Sequence, residues 1–577
     1  MQNAEIAAVL DELAHLLELR GENAFRVRAY RTAARAIEQM HDSVAEIVAD
    51  PQRDLTSVTG VGATIADKCR TLVETGQLPQ LEELRQSTPP VLIKMTRIPG
   101  LGIKKALALL KELPLQSLED LRQACMDHRV GALKGFGAKT ELMILAGLEI
   151  AEAASLRLRI DQAERLVARL HEHLQNCPSI EKLEFAGSYR RGTETVGDID
   201  ILVVSSDPAQ VMDLLATLPG MVSLTARGDT KMSIRVDEQF QVDLRVVGAD
   251  SFGAALQYFT GSKEHNVALR GRARKMGLTV NEYGVAKIDN PDELFAGRSE
   301  QELYQALGLS WIPPELREGR QELEWAENPA GMPRLIEVGD IVGDLHMHTT
   351  ASDGSQSIAE MAAAAAQRRG LRYIAITDHS QRVSMARGLD AARLLAQWKT
   401  IDDFNATLDN QFRVLKGIEC DILEAGPMDL PDEVLSQADW VIGSIHYGQK
   451  QSRAQITDRI TGALANPHVD QLAHPTGRLI GARAPYEVDM DAVIQAAAEF
   501  GKALELNASP MRLDLNEAHL MAAARSGVAI AINTDAHSID GLQVIRFGIT
   551  QARRALLKPA QVINTWPLKQ LLDSTNR

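Results

Sequence analysis

Two sets of residues in this chain have the types and spacing to do chemistry. The first lies in Gly187-Ser-Tyr-Arg-Arg-Gly-Thr-Glu-Thr-Val-Gly-Asp-Ile-Asp-Ile-Leu-Val-Val, where Asp198 and Asp200 stand two apart in a strand-like run. A strand turns alternate side chains to one face, so both carboxylates project together while Ile199 and Ile201 face a core. A third carboxylate, Asp243, sits in Phe240-Gln-Val-Asp-Leu-Arg-Val-Val, with Val242, Leu244 and Val246 on the opposite face. If the two strands are neighbours, three hard oxygen donors converge into a site for two divalent cations roughly 4 Å apart. One ion would acidify an attacking hydroxyl and the other would hold a triphosphate and its leaving group. Gly187, Ser188 and Arg191 would cradle those phosphates through close backbone approach, a hydroxyl donor and a fixed cationic fork.

The second set is histidine-rich: eight of the fourteen histidines follow Asp340. Seven strand-like runs are expected there: 341–345, 372–377, 412–418, 440–445, 469–473, 503–506 and 528–533. His346 and His348 follow the first, His379 the second, Glu419 the third, His446 the fourth, His474 the fifth, and Asp535 with His537 the seventh; only the sixth lacks such a residue. Ligands gathered at the carboxyl ends of successive parallel strands are what a barrel with an active-site face displays. Imidazole with carboxylate and no cysteine suits Zn²⁺, Mn²⁺ or Fe²⁺. With Asp353 of Ser-Asp-Gly added, the donors exceed one site's needs, so two or three ions are expected. His468 and His519 fall outside the pattern and read as structural.

The elements that must position these residues divide the chain into four parts. Residues 1–154 read as short helices broken by glycine pairs, 155–310 as mixed strands and helices, 311–339 as an acidic, proline-punctuated linker, and 340–577 as strand and helix in alternation. Three glycine pairs, Gly60/Gly62, Gly100/Gly102 and Gly135/Gly137, each enter a helix-like stretch. They read as helix-hairpin-helix turns, in which free N–H groups at the next helix start can bind a DNA phosphate without reading sequence. Ordinary αα-hairpin turns are the alternative for any one copy. Lys68, on the helix opened by the first turn, could form a Schiff base with an abasic-site aldehyde, though a surface lysine explains it equally. Phe25, Arg26, Tyr30 and Arg31 could hold a 5′-phosphate beside it by charge and stacking.

Composition narrows the classes. At 577 residues with 45% apolar and 24% charged side chains, the chain is globular and has room for several cores. The net charge of −15 argues against a broad nucleic-acid-binding face, but Arg20–Arg35 and Lys263–Lys275 each hold five basic residues against one acidic. Cys69, Cys125, Cys177 and Cys420 are far apart and read as reduced core thiols. With no targeting segment or spanning run, a cytoplasmic, untargeted chain without membrane partners is expected.

The two-carboxylate segment resembles the signature of the polymerase-beta-like nucleotidyltransferases. Tyr258-Phe-Thr-Gly-Ser, followed by Asn266 and Arg270, resembles family X DNA polymerases in particular. The resemblance implies an α+β palm with a thumb after an all-α helix-hairpin-helix, lyase-like and fingers region. It implies Asp198, Asp200 and Asp243 as ligands of two Mg²⁺ (or Mn²⁺), with Asp243 assisting removal of the primer 3′-hydroxyl proton. Ser188, Arg191 and Gly197 would hold the triphosphate, and Tyr258, Phe259 and Gly261 would line the sugar pocket. Asn266 and Arg270 would reach the minor-groove side, and Lys68 falls at the family's Schiff-base lysine. Thr64 stands where animal members carry a further phosphate-binding lysine, and Lys263 where an acid often follows Gly-Ser.

Asp344-Leu-His-Met-His-Thr, with Ser352-Asp-Gly, Thr377-Asp-His, Gly417-Ile-Glu, Ser444-Ile-His, Ala473-His-Pro and Asn533-Thr-Asp-Ala-His, resembles the polymerase and histidinol phosphatase (PHP) superfamily. That likeness implies a distorted (βα)7 barrel with His346, His348, Glu419 and Asp535 at one metal. His446 and His474 would share Glu419 at a second, and Asp353, His379 and His537 would take a third. The order of parts resembles bacterial and archaeal family X polymerases. The expected function is gap filling on gapped or nicked DNA from dNTPs by a monomer in DNA repair, including base excision repair. The barrel would be a metal-dependent 3′-5′ exonuclease, abasic-site endonuclease or 3′-phosphatase. Two alternatives are a nucleotidyltransferase-phosphatase acting on small molecules and a non-catalytic DNA end-binding scaffold.

Overall fold

This computed structural model describes the whole chain except residues 1–2, 21, 39–43, 51–52, 59, 97, 99–100, 156, 238–239, 329–331, 409–410 and 576–577. The chain forms two compact units, Met1–Ser155 and Leu156–Arg577. No described helix is long and apolar enough to cross a membrane, and all four cysteines are free and buried.

The first unit is helical. Asn3–Leu19 and Ala24–Glu38 pack through Ile6, Leu10, Leu13 and Leu17 against Val27, Tyr30, Ala34 and Ile37, all buried at the three- and four-residue spacing of a helix face. Gly60 takes a left-handed φ of +94°, and a Cβ there would stand 2.9 Å from Thr32 Cγ2. Gly62 and Gly102 are the N-caps of helices Ala63–Thr75 and Ile103–Glu112, with no side-chain cap bond. Gly135 and Gly137 precede helix Ala138–Ser155. A Cβ at Gly62, Gly102, Gly135 or Gly137 would meet nothing within 4 Å, so each backbone is open to approach. Gly100 lies outside the described residues.

The second unit begins with a five-stranded sheet: Ile180–Phe185 (β1), Asp198–Ser205 (β2), Met221–Arg227 (β3), Lys231–Val236 (β4) and Phe240–Val246 (β5). Its order is β1-β2-β5-β4-β3; β2 and β5 run parallel with Asp200 opposite Asp243, and the other neighbours are antiparallel. Helix Ile160–Leu174 lays Ala163, Leu166, Leu170 and Leu174 on one face of this sheet. Helices Phe252–Thr260 and Lys263–Lys275 follow, the second capped by Ser262, whose Oγ accepts from His265 N at 3.0 Å.

Residues 311–339, expected as a linker, are largely packed structure. Arg317 is fully buried and donates from Nη2 to Glu300 Oε2 at 3.0 Å and from Nε to Ile312 O at 2.9 Å. Glu322, also fully buried, meets His265 Nδ1 at 2.7 Å. Arg317 and Arg190 hold the Glu300 carboxyl down at about 2 although burial opposes its charge. Removing one member of such a pair costs about 3–5 kcal/mol, because its partner is left charged and dry.

The remainder is a parallel barrel: Gly343–Asp344 (β6), Tyr373–Ile376 (β7), Arg413–Asp421 (β8), Trp440–Ser444 (β9), Gln471–Leu472 (β10), Ala503–Asn507 (β11) and Ile530–Asn533 (β12), neighbours in sequence order. The ends meet where Met347 bridges Ala536 in parallel and His348 N donates to Ala536 O at 2.9 Å. Leu345, Tyr373, Leu415, Ile442, Ala473 and Ala531 fill one buried layer, and helices such as Ile358–Arg369 and Met490–Phe500 cover the strands through a larger one. Leu513 and Phe547 of this part complete the core of the five-stranded sheet, so barrel and sheet share packing.

Candidate active sites

The β2/β5 register brings the three carboxylates to one face of the five-stranded sheet. Ile199 and Ile201 are fully buried while Asp198 and Asp200 remain partly open. Burial, then Asp243, pushes the Asp198 carboxyl above its usual range. Asp200 is pushed up to about 7 by burial, with Asp198 and Asp243 adding to it against Arg245 and Lys231. This is the electrostatics of a site short of positive charge, and divalent cations fit it. Asp243 is turned toward its own strand pair: Ser233 Oγ donates to its Oδ1 and Gln241 Nε2 to its Oδ2 at 2.7 Å. Accordingly the three carboxylates are not among the groups whose donor atoms lie within 4.8 Å of one another.

Gly187 opens the short helix Gly187–Arg190 directly over Asp200. Its φ is +66°, and a Cβ would stand 2.7 Å from Asp200 Oδ2, so glycine is required twice over. Ser188 follows it, and a Cβ on Gly197 would meet Arg157 Nη1 at 3.0 Å. Arg191 does not face an open phosphate pocket as expected. Its Nε donates to Glu318 Oε1 at 3.0 Å and its Nη1 to Thr260 O at 2.9 Å. Tyr258 and Phe259 meet edge to face at 5.1 Å, with the Arg245 guanidinium 4.4 Å over the Phe259 ring. The Asn266 amide, expected toward the minor groove, is buried and used internally: Nδ2 donates to Tyr258 O at 2.8 Å and Oδ1 accepts from Gln257 Nε2 at 3.0 Å. Gly261 leaves room for this turn, since a Cβ would stand 2.9 Å from Asn266 Oδ1. Arg270 is exposed on the following helix.

In the first unit Lys68 lies on helix Ala63–Thr75 and donates to Gln80 Oε1 at 2.6 Å. Burial, with Arg26 nearby, lowers its pKa below that of an ordinary lysine. Of the expected 5′-phosphate group, Arg26 stands near enough to Lys68 to act on its charge, while Tyr30 and Arg31 are engaged elsewhere. Tyr30 is a core residue, Arg31 pairs with Glu18 at 2.5 Å, and Arg26 lies 3.4 Å from Glu22. Phe25 and Arg26 are exposed, and Arg28 lies 5.8 Å from the Phe25 ring.

At the carboxyl ends of the barrel strands the expected ligands converge. Glu419, at the end of β8 and almost fully buried, is central: His379 Nδ1 lies 2.7 Å, His474 Nε2 3.0 Å, and His346 and His446 Nε2 each 3.5 Å from its oxygens. His348 Nε2 is 3.1 Å from Asp535 Oδ1, and Asp353 lies 3.5 Å from His537 and 3.6 Å from His379. Three groups present donors within 4.8 Å: His348, Asp353, His379 and His537; His346, His348 and Asp535; His379, Glu419 and His446. These groups overlap, and Glu419 lies outside the one formed by His346, His348 and Asp535. His348 and His379 each belong to two groups, and His474 reaches Glu419 without joining the third.

These residues fit metal ions. His346 Nε2 and His348 Nδ1 are buried with no hydrogen-bond partner, and His379 Nδ1 and Glu419 Oε2, 2.7 Å apart, meet without hydrogen-bond geometry; a buried polar atom left so costs about 1–3 kcal/mol unless something ligates it. The protonation pattern agrees. Burial opposes charge throughout, yet Glu505, Asp535 and Glu419 raise His346 well above its ordinary value, and Glu419 with Asp353 raises His379 to about 10. Burial, then His537 and His379, pushes His348 down to about 4. His379, His446 and His346 hold Glu419 well below the carboxylate range against burial. Protons on some imidazoles thus balance the carboxylates, a task that bound cations would take over.

Sequence reasoning passed over the residues that orient these ligands. Glu505 of β11, on the strand thought to carry none, meets His346 Nδ1 at 2.8 Å, leaving Nε2 for an ion. Asp421 does the same for His446 Nδ1 at 3.0 Å. Asp378 accepts from Thr349 N at 2.8 Å and from Gln397 Nε2 at 2.5 Å. Their signal was a carboxylate in or beside a strand of otherwise apolar residues.

Comparison with known proteins agrees with this architecture. Family models match for a helix-hairpin-helix domain (1–78), a SAM-like helix-hairpin-helix tandem (92–149), the DNA polymerase beta palm (157–236), the DNA polymerase beta thumb (255–318) and the PHP domain (344–509). The DNA polymerase/3′-5′ exonuclease PolX of Bacillus subtilis is 43% identical over 573 residues, 99% of each chain. The chain belongs to the PHP-bearing family X DNA polymerases. Rat DNA polymerase lambda is 26% identical over 55% of this family member and 56% of its own length. A probable phosphatase of Caldanaerobacter subterraneus subsp. tengcongensis is 30% identical over 34% of the present chain and 76% of its own. The thumb match reaches Glu318, so the first residues of the expected linker belong to the polymerase part.

Proposed function

We propose that this enzyme is a DNA-directed DNA polymerase that fills short gaps during DNA repair, and that its barrel hydrolyses DNA phosphoesters, first as a 3′-5′ exonuclease. The observation that carries the reading is the presence of two complete donor sets in one compact unit. Asp198, Asp200 and Asp243 share one face of the sheet, and eight further PHP donors gather with Glu419, some of their buried atoms left without a hydrogen-bond partner. Two Mg²⁺ or Mn²⁺ at the carboxylates, and two or three Zn²⁺, Mn²⁺ or Fe²⁺ in the barrel, supply charge stabilisation and hydroxyl activation when bound. Gapped or nicked DNA and dNTPs are the partners, and the enzyme acts as a cytoplasmic monomer.

The chain's own residues supply the rest. Asp243, oriented by Ser233 and Gln241, is placed to accept the proton of the primer 3′-hydroxyl. Ser188 and the backbone around Gly187 hold phosphate oxygens, and Arg191 joins them by exchanging Glu318 for the triphosphate. Gly197 keeps the opposite wall thin, and Tyr258 with Phe259 fills the space a ribose 2′-hydroxyl would need. Arg270 is the exposed base of the minor-groove contact. The hairpin backbones at Gly60/Gly62, Gly102 and Gly135/Gly137 hold DNA phosphates, so binding weakens as salt rises. Lys68 attacks an abasic-site aldehyde, forming a C=N imine while the carbonyl oxygen leaves as water with the two amine protons.

A 5′-labelled primer bordering a one-nucleotide gap, incubated with Mn²⁺ with and without dNTPs, tests the assignment. Extension with dNTPs and shortening without them are expected. Asp198→Ala should abolish extension and spare shortening, and His348→Ala should do the reverse. Loss of both activities from either change, in a folded protein, would refute two separate sites.

A further inference from the structure

One helix is shared by the polymerase part and the barrel. In Ile545–Arg554, Ile545, Ile549 and Ala552 follow the spacing of one helix face and lie in the barrel core. The residues between them turn the other way. Phe547 completes the core of the five-stranded sheet, and Arg546 Nη2 pairs with Glu164 at 2.6 Å. Thr550, Gln551 and Arg554 reach the turn that follows the short helix Gly187–Arg190.

The end of a helix leaves backbone carbonyls that must find partners elsewhere. Here the barrel supplies them. Gln551 Nε2 donates to Gly192 O at 2.7 Å and Arg554 Nη1 to Arg191 O at 2.9 Å, and among the described residues no backbone N–H reaches either oxygen. Both donating side chains are buried. Gly192 has a φ of +66°, and a Cβ on it would run into Thr550 Cγ2. At the other end of the same six residues Gly187 is pressed as closely against Asp200. The segment 187–192 is therefore clamped between the carboxylate strand and a barrel helix, with no space for a side chain at either end. Arg554 bears on the segment a second time, because it lies 2.8 Å from Glu318, the carboxylate to which Arg191 Nε donates at 3.0 Å.

We propose that Gln551 and Arg554 are positioning residues of the polymerase reaction: through the Gly192 and Arg191 carbonyls they fix the segment that presents Ser188 to the incoming triphosphate. The barrel thus completes the nucleotide site without touching the nucleotide. The inference rests on the reading above in which Ser188 and the backbone around Gly187 hold phosphate oxygens. A hydrogen bond that keeps this segment in place serves the bound triphosphate and the transition state alike, so its loss appears in KM for dNTP and not in kcat. A contact that serves folding alone would produce no such split.

The test uses the full-length enzyme on a primer bordering a one-nucleotide gap, with Mn²⁺. Gln551→Met keeps the length of the side chain and removes its N–H, leaving the Gly192 carbonyl without its donor. KM for dNTP should rise about fivefold to twentyfold while kcat stays within about threefold of the wild type. The pyrophosphate concentration that halves extension should rise by a similar factor, and shortening of the primer without dNTPs should proceed at the wild-type rate. Arg554→Lys keeps a positive charge between Glu318 and Glu517 but lacks the second arm that reaches the Arg191 carbonyl, so it should shift KM in the same direction. It decides the matter should Gln551→Met fail to fold. A folded variant whose KM for dNTP stays within about twofold of the wild type would overturn the proposal. So would a loss of extension matched by an equal loss of shortening, the mark of a loosened fold. A Ser188→Ala enzyme with the wild-type KM for dNTP would instead bring down the reading of the phosphate-holding segment, and the proposal with it.

Discussion

Replacing Asp200 by Asn should stabilise the metal-free enzyme while destroying its polymerase activity. The carboxyl is pushed up to about 7 from an ordinary 3.8, by burial first and then by Asp198 and Asp243. Below about pH 4 both folded and unfolded chains carry the proton and there is no penalty. Between about 4 and 7 the unfolded chain ionises while the folded one holds its proton, so stability falls as pH rises, and above about 7 the full cost is present. The difference corresponds to about 2–4 kcal/mol. For a cooperative unit of about 400 residues this is a shift of roughly 2–5 °C in unfolding temperature. Thermal unfolding in a chelator at pH 8.5 should show Asp200→Asn above the wild type by that amount, and at pH 5 the gap should shrink to well under half. Adding Mg²⁺ at pH 8.5 should raise the wild type and leave the variant where it was. A variant equal to or less stable than the wild type at pH 8.5 would mean that the carboxylates are not mutually strained, and the case for a cation site on this sheet face would lose its electrostatic basis.

Three further outcomes follow from named contacts. Gly187→Ala places a Cβ at φ +66° and 2.7 Å from Asp200 Oδ2, so primer extension should fall about tenfold or more while nuclease activity persists; unchanged extension would refute the close approach. Glu505→Gln would offer an amide N–H to His346 Nδ1 and force the proton onto Nε2, so metal retained after competition with a chelator should drop about 10–100-fold, and full retention would show that His346 is not a ligand. Borohydride treatment with a 5′-incised abasic site should cross-link the enzyme through Lys68, and a Lys68→Ala protein that still cross-links would assign the amine elsewhere.

The features legible in the sequence were those that depend on period and position. Asp198 and Asp200 could be placed on one face because alternation has a period of two, and the barrel ligands because each follows an apolar strand. Glu505 was passed over for the complementary reason: it lies inside β11, where its side chain reaches the ligand cluster from the strand itself and not from the loop beyond. Tyr30 shows a signal overridden. Val27, Tyr30, Ala34 and Ile37 already formed an apolar helical stripe, which outweighs a stacking role inferred from two neighbouring arginines. The segment 311–339 reads as a linker because its buried apolar residues, Ile312, Leu316, Ala326 and Leu335, have no regular spacing and two of its buried residues are charged. Patterning assigns Arg317 and Glu322 to solvent, and only Glu300 and His265, brought close by the thumb fold, make their burial affordable. Arg191 depends on the same segment, since Glu318 is its partner and Arg554 of the barrel holds that carboxylate in turn. A charged residue's type is local information, but its partner is set by the whole fold. Arg191 is therefore tied through one carboxylate to the barrel, a connection that spacing along the chain cannot carry.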